Sequence, residues 1–358
     1  MVFGLFEKKK PQPTFKERVA EFWRWYPQVA DRFYQSVEAG RCESLAPEVS
    51  KVAEKLLPHL GWVFGPGENG GHSFTVTGEG QVVKQLLAEY WHSQAPQIPG
   101  WTFHASRQPT KAEDLKKFAI SLEKGESIDL EHFLVKTNVN EESQKVDIVA
   151  WHPLLQKVPA DHHYQILFLL LDEALGELGT EMWLGEIKIE PLAAGPGMIT
   201  LADLPAMIEK ANKYYEWKKL SPLKSYSVYQ VSEPIDAPRG DTLFGSTCIG
   251  SLLAEFLNNG GKFEENPLEG TGAQLAYVAI DGSVIPAGTE VETRGNIEDA
   301  LCDGLERENS GRTLGGAFGS QFSYIDLLLF DGDNSRRIVE AVLDGLQLRG
   351  RSQFKTFM

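Results

Sequence analysis

Histidines and carboxylates supply most acid–base and metal chemistry, and in this chain they are unevenly placed. All eight histidines fall between His59 and His163, and the densest group is Asp161-His162-His163. His104, His132 and His152 are the residues a fold could bring toward it. Zinc asks for about three or four convergent ligands. Adjacent histidines point about 100° apart on a helix and to opposite faces of a strand. His162 and His163 therefore read as polar residues at a helix start, and no metal site is expected. An acid–base site needs less, only two titratable groups in hydrogen-bond reach, and they can come from distant segments. His104, Asp161 and His163, near the ends of expected elements, are the catalytic candidates on that basis.

A second pattern bears on nucleotides. Gly65-Pro66-Gly67-Glu68-Asn69-Gly70 has the G-x-G-x-x-G outline of a dinucleotide-binding turn. That turn works when a strand leads into glycines that open a helix, because the pyrophosphate sits on the helix N-terminus. Here the following "HSFTVTG" alternates like a strand, and Pro66 lacks the N–H a phosphate would use. The glycines read as a β-hairpin loop, and no cofactor is expected. No P-loop, G-x-S-x-G or H-E-x-x-H motif occurs. "FDGDNSRR" (Phe330 to Arg337) resembles a cation loop, but the further oxygen ligands do not follow. Asp333 or Asn334 is read as the N-cap of a last helix, and Asp333 is the one chosen. Asp326, inside the apolar run "YIDLLLF", needs a partner, with Arg312, Arg336 or Arg337 as candidates. "GRTLGGAFGSQFSYIDLLLF" reads as a glycine-rich hairpin with a bulge. In "FWRWY", Trp25 falls off the apolar helical face, which makes it the candidate partner-binding residue.

These residues must be positioned by elements, and periodicity predicts them. A helix over 14–40 starts at Thr14-Phe15-Lys16-Glu17, which has capping-box spacing, with a kink or break at Pro27. Helices are also expected over 47–57, 81–92, 112–123, the run "DHHYQILFLLLDEALGEL", 200–220, 247–259, 297–308 and 335–347. Strands are expected in "GWVF", "HSFTVTG", "GWTFHASR", 128–139, 146–151, "EMWLGEIKIEPL", "KSYSVYQV", 273–281, 313–330 and near Phe354. Several strand pairs are adjacent in sequence. The expected fold is therefore α+β: an N-terminal helical segment and two α/β sandwich domains with mainly antiparallel sheets. The boundary falls between residues 222 and 223, with "SEPIDAPRGDT" (Ser232 to Thr242) as the linker candidate.

Composition narrows the function. The 358 residues carry a formal net charge of −15, negative in both halves. An acidic surface disfavours nucleic acid and anionic membranes and favours a basic protein partner. The three cysteines are far apart, and no run approaches the about 18 apolar residues of a membrane span. "MVFGLFEKKK" has too short an apolar run for a signal peptide, so the expected location is cytoplasmic.

Four stretches together, "LGWVFGPGENGGHSFTVTGEG", "APQIPGWTFHASRQP", "LDEALGELGTEMWLGEIKI" and "YIDLLLFDGDNSRRIVEAVL", resemble a bacterial family known only as a domain of unknown function. Some of its members are associated with domains like the regulator of ribonuclease activity B. The likeness is best over residues 15–190 and rests on aromatic and glycine turns. It implies an acidic α+β protein that works by binding, and it supplies no catalytic residue. The expected role is therefore non-enzymatic binding or regulation. The alternative is a hydrolase whose site is assembled from dispersed polar residues.

Overall fold

A computed structural model of the chain describes residues 12–122, 125–191, 195–231 and 233–357. The reading of "MVFGLFEKKK" lies outside the described residues, as does Ser232 at the start of the linker candidate. The fold is α+β with mainly antiparallel sheets. Among the described residues only two strand pairs run parallel, His72–Thr77 with Trp101–His104 and Lys145–Trp151 with Leu184–Ile189.

The first helix, α1 (Phe15–Glu38), is capped as its sequence demands: the Thr14 side chain accepts from Glu17 N, and the Glu17 carboxylate accepts from Thr14 N at 2.8 Å. Phe15, Val19, Phe22, Trp23, Tyr26, Ala30 and Phe33 are all buried along one face. Of the kink or break expected at Pro27, which faces solvent, the break does not occur, since the helix is continuous through it. It packs with α2 (Ala46–Leu56), α3 (Val82–Ser93) and a three-stranded sheet, β1 (Gly61–Pro66), β2 (His72–Thr77) and β3 (Trp101–His104). Between β1 and β2 the glycines form the expected hairpin loop. Gly67 N donates to Gly71 O at 3.0 Å, and Gly70 and Gly71 hold φ at +93° and +73°, a region open to glycine.

The middle of the chain builds a second apolar cluster. It contains α4 (Ala112–Leu115), β4 (Ala119–Ser121), β5 (Ser127–Asp129), β6 (Leu134–Asn140), β7 (Lys145–Trp151), α5 (His163–Leu175), α6 (Glu177–Trp183), β8 (Leu184–Ile189), β9 (Ile199–Thr200) and α7 (Leu204–Tyr215). Two expectations change here. The helix over 112–123 stops at Leu115, because Ala119–Ser121 pairs with Ser127–Asp129 as a short antiparallel ladder. The run from Asp161 to Leu178 is two helices, divided at Gly176, whose φ of +73° and ψ of 155° lie in territory nearly reserved for glycine.

The last part carries a six-stranded antiparallel sheet of order β10-β11-β13-β14-β12-β15. Its strands are β10 (Ser227–Gln230), β11 (Thr242–Thr247), β12 (Gln274–Asp281), β13 (Gly311–Gly319), β14 (Phe322–Leu329) and β15 (Ser352–Thr356). The β13–β14 hairpin is bulged between Thr313 and Gly315, as the glycine pattern predicts. β14 is central, with Ile325, Leu327 and Leu329 facing α9 (Glu290–Arg307) and α10 (Asp333–Gly345). Tyr324 and Leu328 face the cluster that includes α1 and α8 (Gly250–Asn258). α9 begins earlier than the expected 297 because its first turns are polar apart from the exposed Val291 and give no apolar period.

Two capping and pairing expectations are corrected. Asp333 is the first residue of α10, Gly332 is its N-cap, and no side chain caps the helix. The neighbouring Asp331 instead accepts from Thr14 Oγ1, Lys16 Nζ and Asn334 Nδ2, tying the start of α1 to the end of the sheet. Asp326 pairs with Arg239, both side chains fully buried, rather than with Arg312, Arg336 or Arg337. Those three are engaged by Glu89, Glu340 and Asn334. The Arg239 guanidinium lies 4.8 Å from the Tyr324 ring centroid and 5.4 Å from those of Tyr277 and Phe357. Burial and rings make this a low-dielectric site, where an unpaired Asp326 would be costly.

The apolar clusters bear on how the parts pack. One joins residues 15–103 with residues 223–357, and another holds residues 115–217. Backbone bonds reinforce the first: Phe15 N donates to Gly272 O at 3.1 Å and Lys16 N to Phe330 O at 2.9 Å.

Candidate functional site

A groove of about 570 Å³ opens where the N-terminal sheet meets α5, α6 and β8. α5 contributes Gln165, Phe168, Leu169 and Asp172, which share one face by their spacing of three and four. α6 contributes Glu177, Leu178, Thr180 and Glu181. The turn after β2 contributes Glu79 and Gly80, the segment after β3 contributes Arg107, and β7 contributes Lys145.

Glu177 latches these elements together. Its carboxylate accepts from Thr77 Oγ1 at 2.5 Å, Gly80 N at 3.0 Å and Arg107 N at 3.2 Å. It is 7% exposed, so these three donors replace its water. Its position follows from Gly176: the chain turns there against Arg107 and Pro109, and Glu177 N donates to Arg107 O at 3.0 Å. The β2–α3 turn is held by Gln85, whose Oε1 accepts from Gly78 N at 2.8 Å and whose amide donates to Ala105 O. That turn sets Glu79 at φ +51°, where it meets Arg107 at 2.8 Å.

The remaining carboxylates are less well compensated. Burial pushes Asp172 up to about 6, with Glu177 and Glu79 adding repulsion against the Thr180 hydroxyl and Arg107. Glu181, exposed at the rim, is also raised by the protein packed around its carboxyl, with Glu177 adding to it and Lys145 opposing. Neither makes a salt bridge among the described residues; Lys145 Nζ donates instead to the Glu181 backbone carbonyl at 3.1 Å. Beside this acidic floor stands Phe168, 43% exposed, an apolar ring left facing water. Four carboxylates against two cations, with an apolar wall, suit a ligand that is both cationic and hydrophobic.

The residues singled out from sequence lie elsewhere. His104, in β3, sits 3.9 Å from Glu68, and burial lowers its pKa. Asp161 is exposed in a 3-10 turn, Ala160–His162. His163 begins α5, with Nε2 2.9 Å from Val158 O. Among the described residues no hydrogen bond or ion pair joins His104 to Asp161 or His163. His162 turns to Gln165, at 3.1 Å. Trp25 packs edge-on to Phe22, Tyr26 and Phe33 at 5.5–5.9 Å and is half-buried. Among the described residues no group of three or more metal-ligating side chains is placed around one point. No helix among them is long and apolar enough to cross a membrane.

Asp172, Glu177, Arg107 and Phe168 were not among the sequence candidates. One signal was visible: Asp172 ends the most apolar helical run of the chain, on the face of Gln165 and Phe168. A comparison with family models, with curated proteins and with solved structures finds no match to this chain.

Proposed function

We propose that the chain works by binding, and that the groove between α5, α6 and the β2–α3 turn receives a basic, partly apolar segment of a partner protein. The observation that carries this reading is the groove lining, in which Glu79, Asp172, Glu177 and Glu181 face only Arg107 and Lys145 beside the exposed Phe168 ring, with burial pushing Asp172 up to about 6. A lysine or arginine entering the groove relieves the repulsion among Asp172, Glu177 and Glu79, and its stem packs on Phe168 and Leu178. The net charge of −15 adds a long-range attraction for such a partner. Kinship with the bacterial family of regulator-associated proteins belongs to the same proposal, supported by the acidic balance and the α+β fold. A cytoplasmic location belongs to it too, supported by three free cysteines.

The test is calorimetric titration with a synthetic amphipathic peptide carrying lysines and leucines at helical spacing. Binding should strengthen roughly tenfold from pH 5 to pH 8 as Asp172 ionises, and Asp172→Asn should remove most of that gain. Absence of binding at pH 8 and low salt overturns the reading.

A second reading rests on the same carboxylate. A group near 6 suits general acid–base work at neutral pH, so Asp172 would serve a hydrolase as proton donor or acceptor. It is separated from the first by turnover: an ester or glycoside panel should be inert if the groove only binds.

A further inference from the structure

The six-stranded sheet ends on two edges of different character. One edge is β15, Ser352–Thr356, which carries Lys355 and follows Arg349 and Arg351. Charge on an edge strand is how folded proteins block sheet-to-sheet pairing. The other edge is β10, Ser227–Gln230, which carries no charge and pairs only with β11 among the described residues. Its neighbour β11, Thr242–Thr247, is also uncharged.

The face of this edge is apolar and open. Val228 lies opposite Ser246 and Gln230 opposite Phe244, so Val228 and Phe244 share one face of the sheet. Phe244 continues to Phe318 at 5.1 Å between ring centroids. Val228 is 82% exposed and Phe244 48% exposed. α9 covers the sheet farther in, where Arg294 lies 5.1 Å over Phe318, and it leaves the outer strip bare.

We propose that β10 pairs antiparallel with β10 of a second copy of this chain, joining two six-stranded sheets across a two-fold axis. Charge argues for the second copy as occupant. Two chains of net charge −15 repel wherever acidic surface meets acidic surface. The stretch Tyr226 to Val231 has no ionisable carboxylate or cation, so a self-complementary contact there brings no like charges together. The two-fold also keeps Val228 of both copies on one face of the joined sheet, where each becomes a cross-strand neighbour of the other copy's edge. This proposal does not rest on the groove, and salt separates the two. Screening should strengthen the sheet dimer, whose copies repel, and weaken capture of a basic segment.

Sedimentation equilibrium on the full chain tests it. The wild-type chain should dimerise, more tightly at high salt. Val228→Lys sets like charges near each other across the axis and should weaken the dimer roughly 100-fold. Lys355→Glu on the opposite edge should leave it unchanged, and circular dichroism should show both variants folded. Val228 is exposed, so its substitution tests the contact and not the core. Gln230→Lys gives a second charge at the same edge and should act like Val228→Lys. A wild-type monomer overturns the proposal, and so does a dimer that both edge lysines leave intact. Pairing of β10 with a peptide from another protein, in place of a second copy, also overturns it.

Discussion

Asp326 is buried and Asp172 half-buried, folding raises both carboxyls, and the difference between them is a partner. Asp326 has Arg239 against it in a ring of aromatics. Removing the arginine alone, as Arg239→Leu, should cost about 3–5 kcal/mol in urea unfolding, because the charge of Asp326 stays behind. The double change Arg239→Leu with Asp326→Leu should recover most of that loss, and a cycle showing simple additivity would contradict the pairing. Asp172 has no such partner, and folding raises it to about 6. A group raised on folding contributes stability that is fully present below its unfolded value near 4 and is lost as pH rises through the folded value near 6. Thermal unfolding should thus show the wild type losing roughly 1–2 kcal/mol between about pH 4 and pH 7 relative to Asp172→Asn. Equal pH profiles for the two proteins would show that Asp172 is not raised.

The α5–α6 break is the element on which the groove depends. Gly176 holds φ +73° and ψ 155°, and a Cβ there would meet Pro109 Cδ at 2.9 Å. Gly176→Ala should therefore cost roughly 2–3 kcal/mol, about the price of forcing an L-residue into that region. Glu177→Gln keeps the shape of the latch but exchanges one acceptor oxygen for an amide that cannot accept from Thr77, Gly80 and Arg107 together. Its expected loss is roughly 1–3 kcal/mol, and peptide affinity should fall with it, since Glu79 and Arg107 lose their support. A Glu177→Gln protein of unchanged stability and affinity would remove the latch from the account. The start of α10 makes a contrasting case. Asp333 only complements the helix dipole, so Asp333→Ala should cost less than about 1 kcal/mol, whereas the Asp331 contacts to Thr14 and Lys16 hold two distant parts together.

At the scale of the molecule, the cluster shared by residues 15–103 and 223–357 makes a specific prediction about cleavage. Arg239 is buried within the segment expected as a linker, yet Ile235 and Asp236 beside it are exposed. Limited proteolysis near Ile235 should give a nicked chain whose two pieces co-elute on gel filtration, because each holds part of one core. Pieces that separate and keep their own cooperative unfolding would instead support two independent domains divided at 222/223.

Amphipathic spacing and capping residues were enough to place α1, the β1–β2 hairpin, the bulged β13–β14 pair and the α+β class, since those signals depend on neighbours within a few residues. Local signals misplaced what distant partners decide. Ala119–Ser121 becomes a strand because Ser127–Asp129 pairs with it, and the helix through Leu175 stops because residues 107–110 pack where it would continue. The site belongs to this second kind. Thr77, Gly80, Arg107 and Glu177 span 100 positions of sequence, and no spacing rule links them. Composition determined an acidic chain, and local periodicity an α+β pattern. Tertiary structure decided which carboxylates lose their water, because burial is set by what packs across the groove and not by what adjoins along the chain.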